Sequence, residues 1–350
     1  RQTILEEELA RGVAEAGARW GTAIAMDPRT GAVLAMANVP TYDPNRPAAA
    51  PEEARRNRAI TDRMEPGSTF KLITAIAALE QGVVALDDTL DTGAGWAVFA
   101  GRTMRDVHAY GRISFAEALV HSSNVGVAKI ATRLKPGVLY QYARNLGFGQ
   151  PTMIDLPGEV SGTLKRPSRW SGTTLTSMSI GYEVDATPLQ ILTAYCALAN
   201  GGLLVRPFVV AERRSITGEV LWRARPDSIR RAFRRETARR LLPVFERVVN
   251  EGTGKAARVE GLPVAGKTGT AFKVVDGRYQ PGAYRASFVG FFPADDPQVA
   301  LIVVLDEPRR SIYGGQVAAP IFRRVAERWI GTFPKIAERM APREELPEQV

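Results

Sequence analysis

Apolar residues follow a strand-like pattern at both ends of the chain and a helix-like pattern between them. Residues 2–17 are predicted to form an amphipathic helix, and strands at 22–26 and 32–36 flank the turn 27–31. From residue 68 to about 250 the spacing is mostly helical, with predicted helices at 69–80, 114–132, 138–146, 187–199 and 236–250. Strands return at 263–270, 285–292 and 299–305, and a last helix is predicted at about 316–330.

This order predicts an α+β fold in which both ends of the chain build one sheet around a helical insertion. Short turns between consecutive strands favour antiparallel pairing, so we expect an antiparallel sheet of about five strands with packed helices. The predicted sheet part covers about 1–47 and 255–333, and the helical part covers about 60–250. Residues 40–57 are predicted to be a loop, and 334–350 a polar C-terminal tail.

The charge balance does not identify a binding partner. The 350 residues carry 46 Lys and Arg against 37 Asp and Glu, a net charge of +9, with the densest basic cluster from Arg223 to Arg240. Nucleic-acid binders usually add a reading motif or aromatic stacking to a basic face, and neither is present, so no nucleic-acid partner is expected. The cluster is interpreted as a solvated surface; a role against an anionic polymer or a partner protein is the alternative.

Few residues could hold a metal ion or a cofactor. One cysteine, Cys196, lies in an apolar stretch and is expected in the core, and two histidines, His108 and His121, cannot form a histidine-rich cluster. We therefore expect neither a metal site nor a cofactor. The uncharged run 186–205 contains proline and glycine and has the period of a buried helix, so any membrane anchor is expected upstream of Arg1.

One motif suggests nucleotide binding. Residues 261–268 satisfy the phosphate-loop pattern G-x-x-x-x-G-K-[ST], and the strand ending at Asp306 resembles an acidic magnesium-binding strand. A phosphate loop joins a buried strand to a helix whose N-terminal amides hold the phosphates. Neither neighbour is predicted here, and Pro263 removes a donor from the loop, so this hypothesis is set aside in favour of a buried strand that ends at Asp306.

A second set of motifs uses the same lysine. The chain contains one S-x-x-K sequence, Ser68 to Lys71, which follows the turn residues Pro66 and Gly67 and starts an apolar helical pattern. Residues three apart share a face of a helix. A lysine can take the proton of a serine hydroxyl when its ammonium form is disfavoured by burial or by another cation. On its own this motif is common, and a helix cap followed by a solvated lysine would also explain it.

Two further motifs occur in a fixed order after it. Ser122-Ser-Asn124 interrupts the helical stretch 114–132, and Lys267-Thr-Gly-Thr270 follows a short apolar strand. The order S-x-x-K, S-x-N, K-T-G is the set shared by penicillin-binding proteins and serine β-lactamases.

With these motifs the chain resembles the transpeptidase domain of a class B penicillin-binding protein of the division (septal) type. The resemblance covers nearly all of residues 1–333, and its further matches are 26–38, 57–62, 154–159, 179–183, 188–190 and 287–293. The stretch 57–62 favours the septal branch. The resemblance implies the penicillin-binding-protein/serine β-lactamase-like fold, and it implies that the family's membrane anchor and pedestal domain are missing upstream.

The resemblance also implies a role for each motif residue. Ser68 would be the nucleophile and Lys71 its general base, while Ser122 would relay the proton and Asn124 would orient Lys71 and the substrate amide. Lys267 would help keep Lys71 neutral, Thr268 and Thr270 would bind the terminal carboxylate, and Gly269 would let the strand approach the substrate. The backbone N–H groups of Ser68 and Thr270 would form the oxyanion hole, worth about 3 to 4 kcal/mol per donor in comparable reactions.

The implied reaction is D,D-transpeptidation of peptidoglycan stem peptides ending in D-Ala-D-Ala, with β-lactams as covalent inhibitors. The implied location is the outer face of a bacterial cytoplasmic membrane, with division membrane proteins as partners. A D,D-carboxypeptidase and a β-lactamase-like hydrolase remain alternatives; in the second, Glu159 would activate water, although its surroundings favour a structural loop residue. A non-catalytic β-lactam sensor is a further alternative, against which Asn124 argues because such sensors usually carry S-x-V.

Overall fold

The computed structural model describes residues 1–275 and 277–341. Its central element is a five-stranded antiparallel sheet formed by β1 (Trp20–Met26), β2 (Val33–Val39), β3 (Ala265–Val275), β4 (Arg278–Phe292) and β5 (Val299–Asp306). The strand order is β3-β4-β5-β1-β2, so β1 from the start of the chain pairs with β5 from its end. The predicted antiparallel sheet built from both chain ends is confirmed, and β3 and β4 are longer than predicted.

Helices cover both faces of this sheet. The α-helices are α1 (Gln2–Ala16), α2 (Lys71–Glu80), α3 (Phe115–Val120), α4 (Asn124–Ala131), α5 (Pro136–Asn145), α6 (Thr174–Ser179), α7 (Pro188–Ala199), α8 (Arg235–Asn250), α9 (Ala319–Trp329) and α10 (Pro334–Met340). Single helical turns lie at Glu52–Arg55, Arg58–Thr61 and Gly314–Val317, and 3₁₀ turns at Pro47–Ala49, Gly67–Phe70, Pro167–Arg169, Lys255–Ala257 and Ile330–Thr332.

Five short antiparallel strand pairs lie within the helical part of the described chain. They are Thr89–Asp91 with Arg112–Ser114, Trp96–Phe99 with Arg102–Arg105, Thr163–Leu164 with Val184–Asp185, Leu203–Val205 with Ser228–Arg231, and Glu212–Arg214 with Val220–Arg223. None of them was predicted, because runs of two to four residues are too short to show a period.

The sheet separates two hydrophobic cores. Along β5, Ile302 and Val304 face the core shared with α2 and α7, whereas Leu301, Val303 and Leu305 face the core shared with α1 and α9. All eight residues of β5 are buried, which explains why its sequence is a continuous apolar run instead of an alternating one. Cys196 is fully buried in the first core, as predicted, and burial raises the pKa of its thiol.

Differences from the predicted elements occur at irregular segments. The predicted helix 114–132 is two helices, α3 and α4, which meet where Ser122 adopts a left-handed φ of 63°. The predicted helix 316–330 is split at Ala318 into a single turn and α9. The predicted loop 40–57 contains the turns Pro47–Ala49 and Glu52–Arg55.

The predicted C-terminal tail begins with an ordered helix. In α10 the side chain of Ile336 is fully buried in the second core, so packing extends beyond residue 333. An apolar residue of this kind is hard to recognise in a segment dominated by charge. Residues 342–350, the rest of the predicted tail, lie outside the described residues.

The structure bears on two predictions, one about the basic cluster and one about membrane-spanning segments. Seven of the eight arginines between Arg223 and Arg240 are exposed and the eighth is half-buried, so the cluster is a solvated surface, as predicted. In the part of the chain that the structure describes, no helix is both long enough and apolar enough to cross a bilayer.

One buried carboxylate ties the end of β5 to its neighbours. Asp306 is fully buried, and it accepts hydrogen bonds from Lys273 Nζ at 2.9 Å and from Arg285 Nε at 3.0 Å. Lys273 also pairs with Glu307 at 2.5 Å. Removing one member of such a buried network leaves the other charges desolvated without compensation.

We therefore predict that Asp306→Ala lowers the free energy of unfolding by about 3 kcal/mol, measured by urea denaturation. Asp295→Ala is the matched control, because Asp295 is an exposed carboxylate paired with one arginine, Arg339, and should cost about 1 kcal/mol or less. Equal losses in the two variants would contradict the structural role assigned to Asp306.

Candidate active site

Ser68 and Lys71 lie at the start of α2. The backbone forms a 3₁₀ turn over Gly67–Phe70 and continues into α2 at Lys71. In a 3₁₀ turn the side chains of residues three apart eclipse one another, so Ser68 and Lys71 point to the same side. Ser68 is half-buried, whereas Lys71 is fully buried. A hydroxyl that solvent can reach is thus placed one turn from an amine that solvent cannot reach.

Strand β3 lies directly against this turn, and two glycines allow the close approach. A Cβ on Gly269 would come within 2.3 Å of Ser287 Oγ and 3.2 Å of Pro66 O. Gly67 has a left-handed φ of 54°, and a Cβ there would lie 2.7 Å from Thr270 O. No side chain fits at either contact, so the K-T-G strand and the Ser68 turn approach each other through their backbones.

The S-x-N motif forms the corner between α3 and α4. Ser122 occupies the left-handed conformation at this corner, and Ser123 caps α4 by accepting a hydrogen bond from Gly126 N at 2.9 Å. Asn124, the first residue of α4, is held by a bond from its Nδ2 to Arg105 O at 2.9 Å. Its Oδ1 is thereby turned toward Lys71.

Asp106 fixes this corner from outside the predicted motifs. Its Oδ2 accepts a hydrogen bond from Ser123 Oγ at 2.6 Å, and its Oδ1 accepts from the backbone N–H groups of Asn124 at 2.5 Å and Val125 at 3.0 Å. It therefore satisfies the free N–H groups at the start of α4. The sequence gives no signal for this role, because Asp106 is about sixteen residues from the motif and lies in a charged, irregular segment.

The amine of Lys71 is surrounded by the S-x-N corner. Its Nζ donates to Ser122 O at 2.5 Å and to Asn124 Oδ1 at 2.8 Å, and it lies 3.1 Å from Ser122 Oγ. The two carbonyl oxygens can only accept, so a neutral amine can donate its two N–H groups to them and use its lone pair toward a hydroxyl. Among residues 1–275 and 277–341, Lys71 Nζ makes no hydrogen bond to Ser68 and no ion pair with a carboxylate.

This environment disfavours the ammonium form of Lys71. Burial lowers its pKa well below the usual 10.5, the neighbouring charge of Lys267 lowers it further, and Asp106 opposes the shift. The direction of this shift is the one required of a lysine that acts as a base.

Lys267 is a second buried lysine, on the facing strand. It is fully buried in β3, its Nζ has no hydrogen-bond partner among the described residues, and burial lowers its pKa to about 7. Beside it, the hydroxyl of Thr268 lies 2.8 Å from that of Thr253, and Thr270 Oγ1 accepts a long hydrogen bond from Gly314 N at 3.4 Å. An unpaired buried amine on a strand that also carries two hydroxyls makes this strand a candidate site for an anionic group.

Aromatic side chains form a wall next to the S-x-N corner. Tyr182, Phe272 and Tyr279 contact one another, with ring centroids 5.9 to 6.5 Å apart. They line a cavity of about 320 Å³, here called the front cavity, which Asn124 also lines. These residues were not predicted, since two of them lie in the hairpin β3–β4 and their meeting depends on the tertiary fold.

All eight residues predicted for the site lie in three adjoining segments. Lys71, Ser122 and Asn124 are in direct contact, and the strand carrying Lys267, Thr268, Gly269 and Thr270 packs on the turn that carries Ser68. The phosphate-loop hypothesis has no support, because Lys267 and Thr268 lie inside β3, which continues to Val275 instead of starting a helix.

Glu159 lies in a loop and binds its own neighbours. Its Oε1 accepts from Thr152 N at 2.7 Å and from Thr152 Oγ1 at 2.5 Å, and its Oε2 accepts from Met153 N at 3.0 Å. A carboxylate occupied in this way stabilises the loop, which agrees with the structural interpretation of this residue.

Comparisons with known proteins agree with this geometry. Residues 21–327 match the family described as the penicillin-binding protein transpeptidase domain. The chain is 37% identical over 326 residues to the probable peptidoglycan D,D-transpeptidase PenA of Neisseria meningitidis, covering 93% of this chain and 54% of that protein. It is 38% identical over 325 residues to the peptidoglycan D,D-transpeptidase FtsI of Escherichia coli, covering 92% and 53%. The chain therefore spans about half the length of the curated relatives it matches.

A solved structure shows the same fold. Penicillin-binding protein 3 of Mycobacterium tuberculosis, determined in complex with ampicillin, superposes with a TM-score of 0.89 at 31% identity, covering 99% of this chain and 78% of that one.

The hydrogen bonds of Asp106 lead to a prediction about the corner. Asp106→Ala should slow acylation of Ser68 by a labelled penicillin about tenfold, because Asn124 and Ser122 lose the anchor that aligns them with Lys71. Asp106→Asn keeps one carbonyl oxygen as acceptor and should lose less. Acylation of both variants at the wild-type rate would show that Asp106 is not needed to align the corner.

Proposed function

The chain belongs to the family of penicillin-binding protein transpeptidase domains, and from that premise we propose that it is a serine D,D-transpeptidase that cross-links peptidoglycan stem peptides. The observation that carries the proposal is the buried amine of Lys71, held by Ser122 and Asn124 next to the turn that presents Ser68. Ampicillin is bound in the solved relative, and β-lactams of this kind would acylate the same serine here.

In the first half of the reaction, Ser68 Oγ attacks the carbonyl carbon of the penultimate D-alanine. Its proton passes to the neutral Nζ of Lys71, which the substrate brings into reach, since catalytic hydrogen bonds often tighten only in the complex. The negative oxygen that develops is held by the backbone N–H groups of Ser68 and Thr270. The carbon–nitrogen bond then breaks, and the leaving nitrogen of D-alanine takes its proton from Lys71 through Ser122, which lies 3.1 Å from Nζ.

Binding of the terminal carboxylate would also prepare the base. A carboxylate held by Thr268 and Thr270 lies near Lys267 and favours its cationic form, raising a pKa that burial alone brings to about 7. The charge on Lys267 in turn lowers the pKa of Lys71. Substrate binding thus strengthens the preference of Lys71 for the neutral form in which it accepts a proton.

In the second half, an amine of a neighbouring stem peptide attacks the ester carbonyl. The new carbon–nitrogen bond forms, the bond to Ser68 Oγ breaks, and the proton of the amine returns to the serine through Lys71. A carboxypeptidase would use water at this step, so the two activities share the acyl-enzyme and differ in the acceptor.

We propose that the domain works at the outer face of the cytoplasmic membrane in septal wall synthesis, together with division proteins. Support comes from the sequence of residues 57–62 and from relatives about twice the length of this chain, which have room for an anchor and a further domain.

The nucleophile is tested by its adduct. A labelled penicillin should add one acyl group to the wild-type protein, mass spectrometry should locate it on Ser68, and Ser68→Ala should carry none, because the other hydroxyl beside Lys71, that of Ser122, relays a proton in the proposed mechanism and is not acylated. Ser215→Ala, in the turn of the exposed hairpin Glu212–Arg223, should be labelled like the wild type. An adduct that survives Ser68→Ala would exclude Ser68 as the nucleophile.

The base is tested by the pH profile of acylation. The rate should fall on acidification as Lys71 takes up a proton and loses its lone pair. Lys267→Met removes the neighbouring positive charge, so the pKa of Lys71 should rise and the acidic limb of the profile should move to higher pH. A limb that stays in place, or moves to lower pH, would contradict the coupling between the two lysines.

A further inference from the structure

The walls of the front cavity carry positive charge and no negative charge. Arg102 and Arg105 belong to its lining, and the other lining residues are uncharged. Within residues 1–275 and 277–341, neither arginine forms an ion pair with a carboxylate. The cavity beside the S-x-N corner is therefore bordered by cations that no acidic side chain of the described chain neutralises.

Arg102 is the arginine whose side chain faces the cavity. It begins the short strand Arg102–Arg105, and its Nη1 donates to Oγ of the buried Ser177, which lines the same cavity, at 3.0 Å. Arg105 is three residues further on and so lies on the opposite side of the strand. Burial raises the pKa of Tyr182 and that of Tyr279, and the positive charge of Arg102 opposes both shifts. The guanidinium of Arg102 thus lies close to the aromatic wall.

Most of this guanidinium is free to bind a ligand. The contact with Ser177 is its one hydrogen bond among the described residues, and a guanidinium has several N–H donors. These donors form a planar fork that fits both oxygens of a carboxylate. Because apolar side chains such as Met104 and Ile180 form part of the lining, a bond between opposite charges is stronger here than on an open surface.

Three carboxylates lie around the front cavity without lining it. Asp106 binds Ser123 and the N–H groups at the start of α4. Glu65 and Glu183 line a second cavity, together with five cationic residues, and Glu65 supports the aromatic wall from that side by accepting a hydrogen bond from Tyr279 OH at 3.1 Å. None of the three pairs with the guanidinium in the front cavity, so a ligand would supply the missing negative charge.

The proposed mechanism places one part of the donor strand in this cavity. Thr268 and Thr270 would bind the terminal carboxylate, so the chain that precedes the scissile bond would extend away from Thr268. Strand β3 continues in that direction to Phe272, about 7 Å beyond Thr270, and Phe272 lines the front cavity. Asn124, which would orient the substrate amide, lines it too. The residue before the two D-alanines would therefore point its side chain into the front cavity.

We propose that Arg102 is a specificity-determining residue that binds a carboxylate on the side chain of the donor residue preceding D-Ala-D-Ala. This inference rests on the proposed function and narrows its substrate class to stem peptides with an acidic group at that position. Ser177 holds the guanidinium in place, and the aromatic wall confines the side chain that reaches it. A side chain that ends in an amine or an amide would leave Arg102 unused.

Matched donors test this inference. Two N-acetylated thioester donors would differ only in the residue before the D-alanine thioester, glutamate in one and glutamine in the other, and mass spectrometry would follow their conversion. The wild-type protein should have an about tenfold lower KM for the carboxylate donor, the effect of one hydrogen bond between charged groups. Arg102→Gln should raise that KM about tenfold, with kcat and the KM for the carboxamide donor within about twofold of wild type.

The controls address charge and folding. Arg102→Lys keeps the charge but loses the planar fork, so it should lose less than Arg102→Gln. Arg225→Gln should keep the wild-type preference, because Arg225 is likewise exposed and without an ion pair in the described chain but does not line the front cavity. Acylation by benzylpenicillin, whose side chain is uncharged, should stay within about twofold of wild type in all three variants.

Two results would overturn the inference. Equal KM values of the wild-type protein for the two donors would show that the front cavity does not select a carboxylate. A loss in Arg102→Gln that is the same for both donors would show that the arginine only supports the cavity wall. Failure of the proposed function would look different, because neither donor nor benzylpenicillin would then acylate the wild-type protein.

Discussion

The amine of Lys71 is fully buried and is surrounded by carbonyl oxygens, a hydroxyl and a second lysine, with no carboxylate paired to it in the described residues. A lysine in such surroundings loses the solvation that stabilises its ammonium form. Ser68 is an ordinary alcohol, and its reactivity depends on a neighbouring group able to remove its proton. The neutral state of Lys71 is therefore the constraint on which the proposed chemistry depends.

Much of the fold serves to exclude water from the Lys71 amine and to align it with the S-x-N corner. The sheet lets β3 pack against the Ser68 turn through Gly269 and Gly67, which closes one side of the site. Asp106 and the left-handed Ser122 fix the S-x-N corner on the other side. Lys267 adds a second buried lysine whose charge lowers the pKa of Lys71, and in the proposed mechanism an anion bound beside it would strengthen this effect.

The sequence was sufficient for the elements that repeat a period and for the motif residues. The apolar run of β5, the amphipathic α1 and the order of the three motifs could all be predicted, because each depends on neighbours within a few residues. The roles of Asp106, Glu65 and Tyr279 could not be predicted, because they arise where distant segments meet. Glu65 and Tyr279, for example, are 214 residues apart and yet form a hydrogen bond. The helix α10 was not predicted, because Ile336 is its one buried residue and a single apolar residue shows no period.

The most direct test of the account is the protonation state of Lys71 in the resting protein. Nitrogen-15 NMR of lysine side chains, with the Lys71 signal identified by its loss in Lys71→Met, distinguishes a neutral amine from an ammonium group. A pKa well below 10.5 is expected for the Lys71 amine, so its neutral form should be seen at a pH at which a solvated lysine is still protonated. A Lys71 ammonium that loses its proton only near 10.5 would contradict it, because no base would then be available for Ser68.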